Sequence, residues 1–258
     1  MPSEKTLVYL VLGAAGSGRR EVLADLIEGG LGEGDRAAVM LCETETSDAG
    51  AEKKLGAIAR WSWIDGGFIA GELPEGATQV FFVADGRRDP IEQCEAFRPW
   101  VEAQGGEIAR VLLVVNCALA EKNPPLVAWY EACVHFSDVV LLNRREGVAN
   151  KWLSDFQARF ASQFMPCLFE FVKNGRVRNP ALVLDPVARR MTHAFDAEQD
   201  WIFTNSEGEV IDEEEESGDD DEEIEATPEV DPYFARDAAG RRAKRIPDIT
   251  KFLEKEPE

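Results

Sequence analysis

The run Gly13-Ala14-Ala15-Gly16-Ser17-Gly18-Arg19-Arg20 lies between an apolar, strand-like stretch, Thr6 to Leu12, and a helical pattern with Val22, Leu23, Leu26 and Ile27 on one face. A glycine-rich turn in this setting converges backbone N–H groups on an anion, and the helix N-terminus adds a partial positive charge. The spacing is that of the phosphate-binding loop G-x-x-x-x-G-K-[ST], whose lysine reaches the β/γ-phosphates and whose hydroxyl ligates Mg²⁺. Arg19 and Arg20 stand at those two places. The backbone cradle is therefore kept, while the hydroxyl ligand for Mg²⁺ is lost. A guanidinium is forked and always charged, so two of them suit a phosphate without metal. The competing reading is a plain tight turn, with both arginines in the first helical turn paired to Glu43, Glu45 or Asp85.

The elements that must position this loop are legible as short apolar runs alternating with helical patterns, which marks βαβ units and a parallel sheet. Strands are expected at Leu7–Leu12, Ala37–Leu41, Gln79–Ala84, Val111–Asn116, Val139–Asn143 and Leu168–Val172, and their near-continuous hydrophobicity suits burial on both faces. Helices are expected at 19–28, 50–60, 91–104, 124–135 and 149–163. In the last, Trp152, Phe156 and Phe160 form a stripe that reads as core. Asp89-Pro90 reads as an N-cap followed by a first-turn proline. The fold class is thus α/β, three layers with a mainly parallel sheet.

Of the 258 residues and net charge of −21, residues 207–225 contribute 13 acidic and no basic side chains, and residues 226–258 balance at seven of each sign. The first 206 residues carry only −8. No broad cationic surface exists, which argues against non-specific nucleic-acid binding. The cysteines Cys42, Cys94, Cys117, Cys133 and Cys167 are scattered and lack a C-x-x-C pair, so free thiols in a reducing compartment are expected and no zinc site is evident. No apolar run approaches the length of a membrane span, and the N-terminus lacks a signal-peptide core. The chain reads as cytoplasmic.

Four landmarks follow the loop in order: Cys42-Glu43-Thr44-Glu45 after the second strand; Trp63-Ile64-Asp65-Gly66-Gly67-Phe68-Ile69-Ala70; Val83-Ala84-Asp85-Gly86-Arg87-Arg88-Asp89-Pro90 at a strand end; and Asp138-Val139-Val140-Leu141-Leu142-Asn143-Arg144-Arg145-Glu146. Together with the loop they resemble the CobW-type GTPases, the metallochaperone branch that also includes UreG and HypB, over roughly residues 5–172. The resemblance implies a P-loop NTPase domain that takes GTP, with ATP the other nucleotide to consider. Residues 13–20 would hold the phosphates, and Asn143 and Glu146, in the place of Asn-Lys-x-Asp, would read the base. It also exposes departures. Gly86-x-x-x-Pro90 keeps the frame of the family's third strand, but Val83 replaces its glutamate, leaving Asp85 as the substitute that would act in catalysis. The family's Cys-x-Cys-Cys metal motif should fall within 65–70, where no cysteine occurs, so a soft thiolate site cannot form.

The expected organisation is a P-loop NTPase-like domain at 1–175, an extension at 176–206, an acidic disordered linker at 207–230 and a short interaction or docking motif at 231–258. Three functions fit: a degenerate CobW-like protein that binds nucleotide with weak or no hydrolysis, with Mg²⁺ not bound in the usual way; a pseudo-GTPase scaffold for a protein partner reached through the acidic tail and residues 231–258; and an atypical active GTPase in which Arg19 and Asp85 replace the lost lysine and glutamate. Arg19, Arg20, Arg87, Arg88, Arg144 and Arg145 are expected to form a basic mouth at the C-terminal edge of the sheet.

Overall fold

The computed structural model describes residues 5–46, 49–64, 66–196, 201–204, 225–228 and 230–253. They fall into two compact units, residues 1–191 with 246–258, and residues 192–245.

In the first unit the chain runs β1 (Leu7–Leu12), α1 (Arg19–Gly30), β2 (Ala37–Cys42), α2 (Ala49–Glu52), β3 (Ala57–Ile64), β4 (Phe68–Ala70), β5 (Gln79–Val83), α3 (Pro90–Ala103), β6 (Glu107–Asn116), α4 (Cys117–Lys122), α5 (Leu126–Phe136), β7 (Val139–Asn143), α6 (Asn150–Ala161), β8 (Leu168–Phe171) and α7 (Pro180–Leu184). The strands form one sheet of order β4-β3-β2-β5-β1-β6-β7-β8, parallel except for the antiparallel β3–β4 pair.

The sheet is covered on both faces, and the alternation of side chains along each strand assigns its residues to a layer. Tyr9 and Val11 of β1, Val39 and Leu41 of β2, and Phe81 and Val83 of β5 pack with Val22, Leu23 and Leu26 of α1 and with Val183 and Leu184 of α7. On the opposite face Phe82 meets Phe97 and Trp100 of α3, with ring centroids 5.4 and 5.0 Å apart. Along α6 Trp152 stacks on Phe156, which meets Phe160 edge to face, with Phe156 and Phe160 buried, as the stripe predicted. Asp89 caps α3 by accepting from the Ile91 N–H, with Pro90 in the first turn.

One expected element is different. The helix predicted over 50–60 ends at Glu52, and Ala57–Ile64 is strand β3, hydrogen-bonded between β2 and β4. Leu55 and Ile58, three residues apart, imitate a helical face.

The second unit contains β9 (Trp201–Thr204) and β10 (Glu225–Pro228), paired antiparallel, and the turn at 233–245, where Tyr233 carries the Lys244 ammonium 4.5 Å from its ring centre. Residues 207–224 of the acidic run lie outside the described residues. Among the described residues no helix is long and apolar enough to cross a membrane.

All five cysteines are free and buried. Burial pushes the Cys117 and Cys167 thiols up to about 12, and Cys133 well above its ordinary value. Because the thiolate is the reactive form, the native chain is expected to resist iodoacetamide at mildly alkaline pH and to take up label at all five positions in guanidinium. Mass spectrometry of the two samples checks this.

Candidate functional site

The helix after β1 packs on one face of the sheet and the helix after β5 on the other. Because β1 and β5 are neighbours, their C-terminal ends flank a crevice, the place where open α/β sheets receive ligands. A cavity of about 280 Å³ lies there, lined by residues 15, 16 and 18–21 of the loop and α1, by 44–46 after β2, by Asp85, Gly86 and Arg87 after β5, and by Arg144 after β7.

Its floor is the turn at 13–18. Gly18 is the N-cap of α1 at φ 86°, a left-handed conformation, and provides no capping side chain for the first helical turn. A methyl on Gly18 would lie 2.5 Å from the Asn143 Nδ2. Asn143, buried at the end of β7, donates from that nitrogen to the Ser17 carbonyl at 2.8 Å and so braces the loop from below. Gly13, Ala14 and Ser17 lie beneath the cavity, with Ala14 and Ser17 buried, while Ala15, Gly16 and Gly18 face it. Two loop N–H groups are already engaged: Ala15 donates to the Gly86 carbonyl at 3.0 Å and Ser17 to the Ala14 carbonyl at 3.1 Å.

Both loop arginines converge on one carboxylate. Arg19, only 6 % exposed, donates from Nη1 to the Ala84 carbonyl and from Nη2 to Glu45 Oε1 at 2.6 Å. Arg20 donates to the other oxygen, Oε2, at 2.9 Å. The chain of charge continues outward: Arg20 lies 3.8 Å from Glu52, which accepts from Arg60 at 2.7 Å. Of the three acids proposed as partners, Glu45 holds the arginines, while Glu43 is exposed.

Asp85 lines the cavity and is buried. Its Oδ1 accepts from the Arg87 N–H at 2.9 Å and its Oδ2 from the Thr44 hydroxyl at 3.3 Å. Gln93 of α3 fixes the Asp85 backbone from both sides, accepting from its N–H at 2.7 Å and donating to its carbonyl at 3.1 Å. Thr44 Oγ1 also lies 3.1 Å from Cys42 Sγ, whose thiol burial pushes up.

The other expected residues are spread more widely. Glu146 is exposed in the turn after β7 and does not line the cavity. Arg144 does line it, donating to both oxygens of Glu21 at 3.0 and 2.8 Å. Arg88 lies over the Trp63 ring, and Arg145 lies over Phe171 and donates to the Val172 carbonyl. The basic mouth therefore narrows to Arg19, Arg20, Arg87 and Arg144, interleaved with Glu21, Glu45 and Asp85. Glu21 and Gln93 had no marker in the sequence, and Thr44 lay in a landmark without a role: each is identified by what folds against it.

A guanidinium stands where the hydroxyl ligand would be, and Glu45 is committed to two cations. Among the described residues no group of three or more His, Cys, Asp or Glu is placed to hold a metal ion.

No family model and no curated protein matches the chain. Solved structures similar to it include the hydrogenase maturation factor HypB from Archaeoglobus fulgidus (11% identity, TM-score 0.45, covering 65% of this chain and 81% of that one). They also include the Zn(II)-bound YjiA GTPase from E. coli (14%, 0.41, covering 78% and 72%) and the cell division protein FtsY from Thermotoga maritima (15%, 0.43, covering 72% and 69%). At these values the likenesses carry no argument about chemistry, which rests on the residues around the loop.

Proposed function

We propose that this chain is a GTPase-like nucleotide-binding protein of degenerate CobW type, which takes GTP weakly and without Mg²⁺ in the usual way, and which hydrolyses it very slowly or not at all. The carrying observation is the pair of arginines at the ends of one carboxylate, Arg19–Glu45–Arg20, beside a glycine loop open to a cavity. The arrangement supports phosphate binding because two guanidiniums and the N-terminus of α1, which no side chain caps, border the same cavity. It disfavours turnover because phosphoryl transfer depends on a metal and on a residue that positions water. Arg20 replaces the metal ligand, Val83 replaces the glutamate, and the Asp85 carboxylate is engaged by Arg87 and Thr44.

Asn143 acts as a loop brace in this reading, and Glu146 serves the base only through movement of its turn. A cytoplasmic location fits free thiols. A pseudo-GTPase scaffold is the second reading, favoured by the same Glu45, since a site neutralised from within has less need of a ligand. A protein partner would then engage the acidic run and residues 231–258.

Titration of the full chain with a fluorescent GTP analogue separates the two. Saturable micromolar binding, lowered more than tenfold by Arg19→Glu, is the expected result, a loss comparable to removing a charge-assisted pair of contacts. No binding of GTP or ATP analogues at millimolar concentration leaves the scaffold.

A further inference from the structure

We propose that Glu45 is a tethered substitute for the ligand of this site, and that the ligand is a metal-free di- or triphosphate anion that exchanges with the Glu45 carboxylate between Arg19 and Arg20. The inference rests on reading the loop as a phosphate site and adds to it the form of the ligand and the way the site is held when no anion is present.

The geometry carries the exchange. The two oxygens of Glu45 each take one guanidinium, at 2.6 and 2.9 Å, which is the pattern two oxygens of one phosphate offer to a pair of arginines. Arg19 is also held to the Ala84 carbonyl, so its guanidinium stays in place when Glu45 leaves. Arg20 retains Glu52 at 3.8 Å. The carboxylate, by contrast, hangs from an exposed turn: Glu43, Thr44 and Thr46 are all exposed, and Glu45 donates its own N–H to the Cys42 carbonyl at 3.0 Å. The arginines are thus the fixed half of the pair and Glu45 the movable half. Arg19, Arg20 and Glu45 all line the cavity from which a phosphate would approach.

The same geometry selects a metal-free ligand. Two guanidiniums supply the positive charge that Mg²⁺ supplies elsewhere, and a Mg²⁺-complexed diphosphate offers these arginines two fewer negative charges. Exchange also loosens the turn at 43–46, because the Glu45 side chain ties it to α1, so occupancy of the loop is transmitted to the segment after β2.

Calorimetric titration of the full chain with inorganic diphosphate in a chelating buffer tests this, alongside Glu45→Gln and amide exchange at Glu45 followed by NMR. The expected results are binding by the wild type, about tenfold tighter binding by Glu45→Gln, weakening of both by excess Mg²⁺, and faster exchange of the Glu45 amide in the wild type at saturation. The amide readout needs no variant and stands even if Glu45→Gln fails to fold. Equal affinity of variant and wild type with an unchanged Glu45 amide overturns the exchange while leaving the loop a phosphate site. Tightening by Mg²⁺ overturns the metal-free ligand. Absence of diphosphate binding by either protein overturns both this inference and the reading beneath it.

Discussion

Gly86→Ala is expected to destabilise the chain by about 1–3 kcal/mol, the range for forcing extra atoms into a close-packed site, and to abolish nucleotide-analogue binding. A methyl at residue 86 would lie 2.4 Å from the Ala15 nitrogen and 2.8 Å from the Ala14 carbonyl carbon. Both are backbone atoms of the loop, so no side-chain rotation relieves the contact. The third neighbour is the Arg19 Nη2, at 2.7 Å. Relief therefore requires the loop to move away from β5. That motion breaks the Ala15-to-Gly86 hydrogen bond and draws Arg19 off the Ala84 carbonyl, dismantling the cradle and its fixed cation together. Urea denaturation reads the first effect and the fluorescent GTP titration the second. Unchanged values in both would mean that the loop is not packed against Gly86 as described.

Asp138→Ala is expected to cost more, about 3–5 kcal/mol, the range for removing one partner of a buried ion pair. Asp138 is fully buried at the start of β7. Its carboxylate accepts from the Val111 N–H at 2.7 Å and the Arg189 N–H at 2.5 Å, and pairs with Arg190 at 3.2 Å. Alanine leaves the buried Val111 N–H and the part-buried Arg189 N–H without their acceptor and a buried guanidinium without its carboxylate, while filling none of the space. Arg110 of β6, also fully buried, holds the neighbouring stretch through the Leu182, Val183 and Val187 carbonyls, so Asp138 and Arg110 together pin residues 182–190 to the sheet. Increased protease sensitivity in 180–191 and a melting temperature lowered by about 10 °C, at roughly 2–4 °C per kcal/mol for a domain of this size, are the expected signatures. The site lies at the opposite end of the strands, so any Asp138→Ala that remains folded keeps its affinity for the GTP analogue.

The sheet was legible in the sequence where its strands are buried along nearly their whole length. Leu7–Leu12 and Val139–Asn143 appear as unbroken apolar runs and occur at those residues. Strand β3 was not legible: Trp61 is its one buried residue, flanked by Arg60 and Ser62, and the rest are half-buried or exposed, so neither alternation nor continuity is clean. The loop, its arginines and the bracing asparagine lie on contiguous motifs and could be found from spacing. Glu45 could be named only as one of three candidates, because the choice depends on how the turn after β2 folds towards α1. Gln93 has no sequence signal at all; its role comes from facing both backbone groups of Asp85 across the start of α3.

The loop's claim to hold phosphate without a metal is tested most directly by measuring GTP affinity of the full chain twice, in excess Mg²⁺ and in chelator, with phosphate release followed in parallel. Binding in chelator at least as tight as in Mg²⁺, with no steady release of phosphate, is the predicted result. Binding that appears only with Mg²⁺, accompanied by multiple turnovers, would contradict it and make Arg19 and Asp85 parts of a working GTPase.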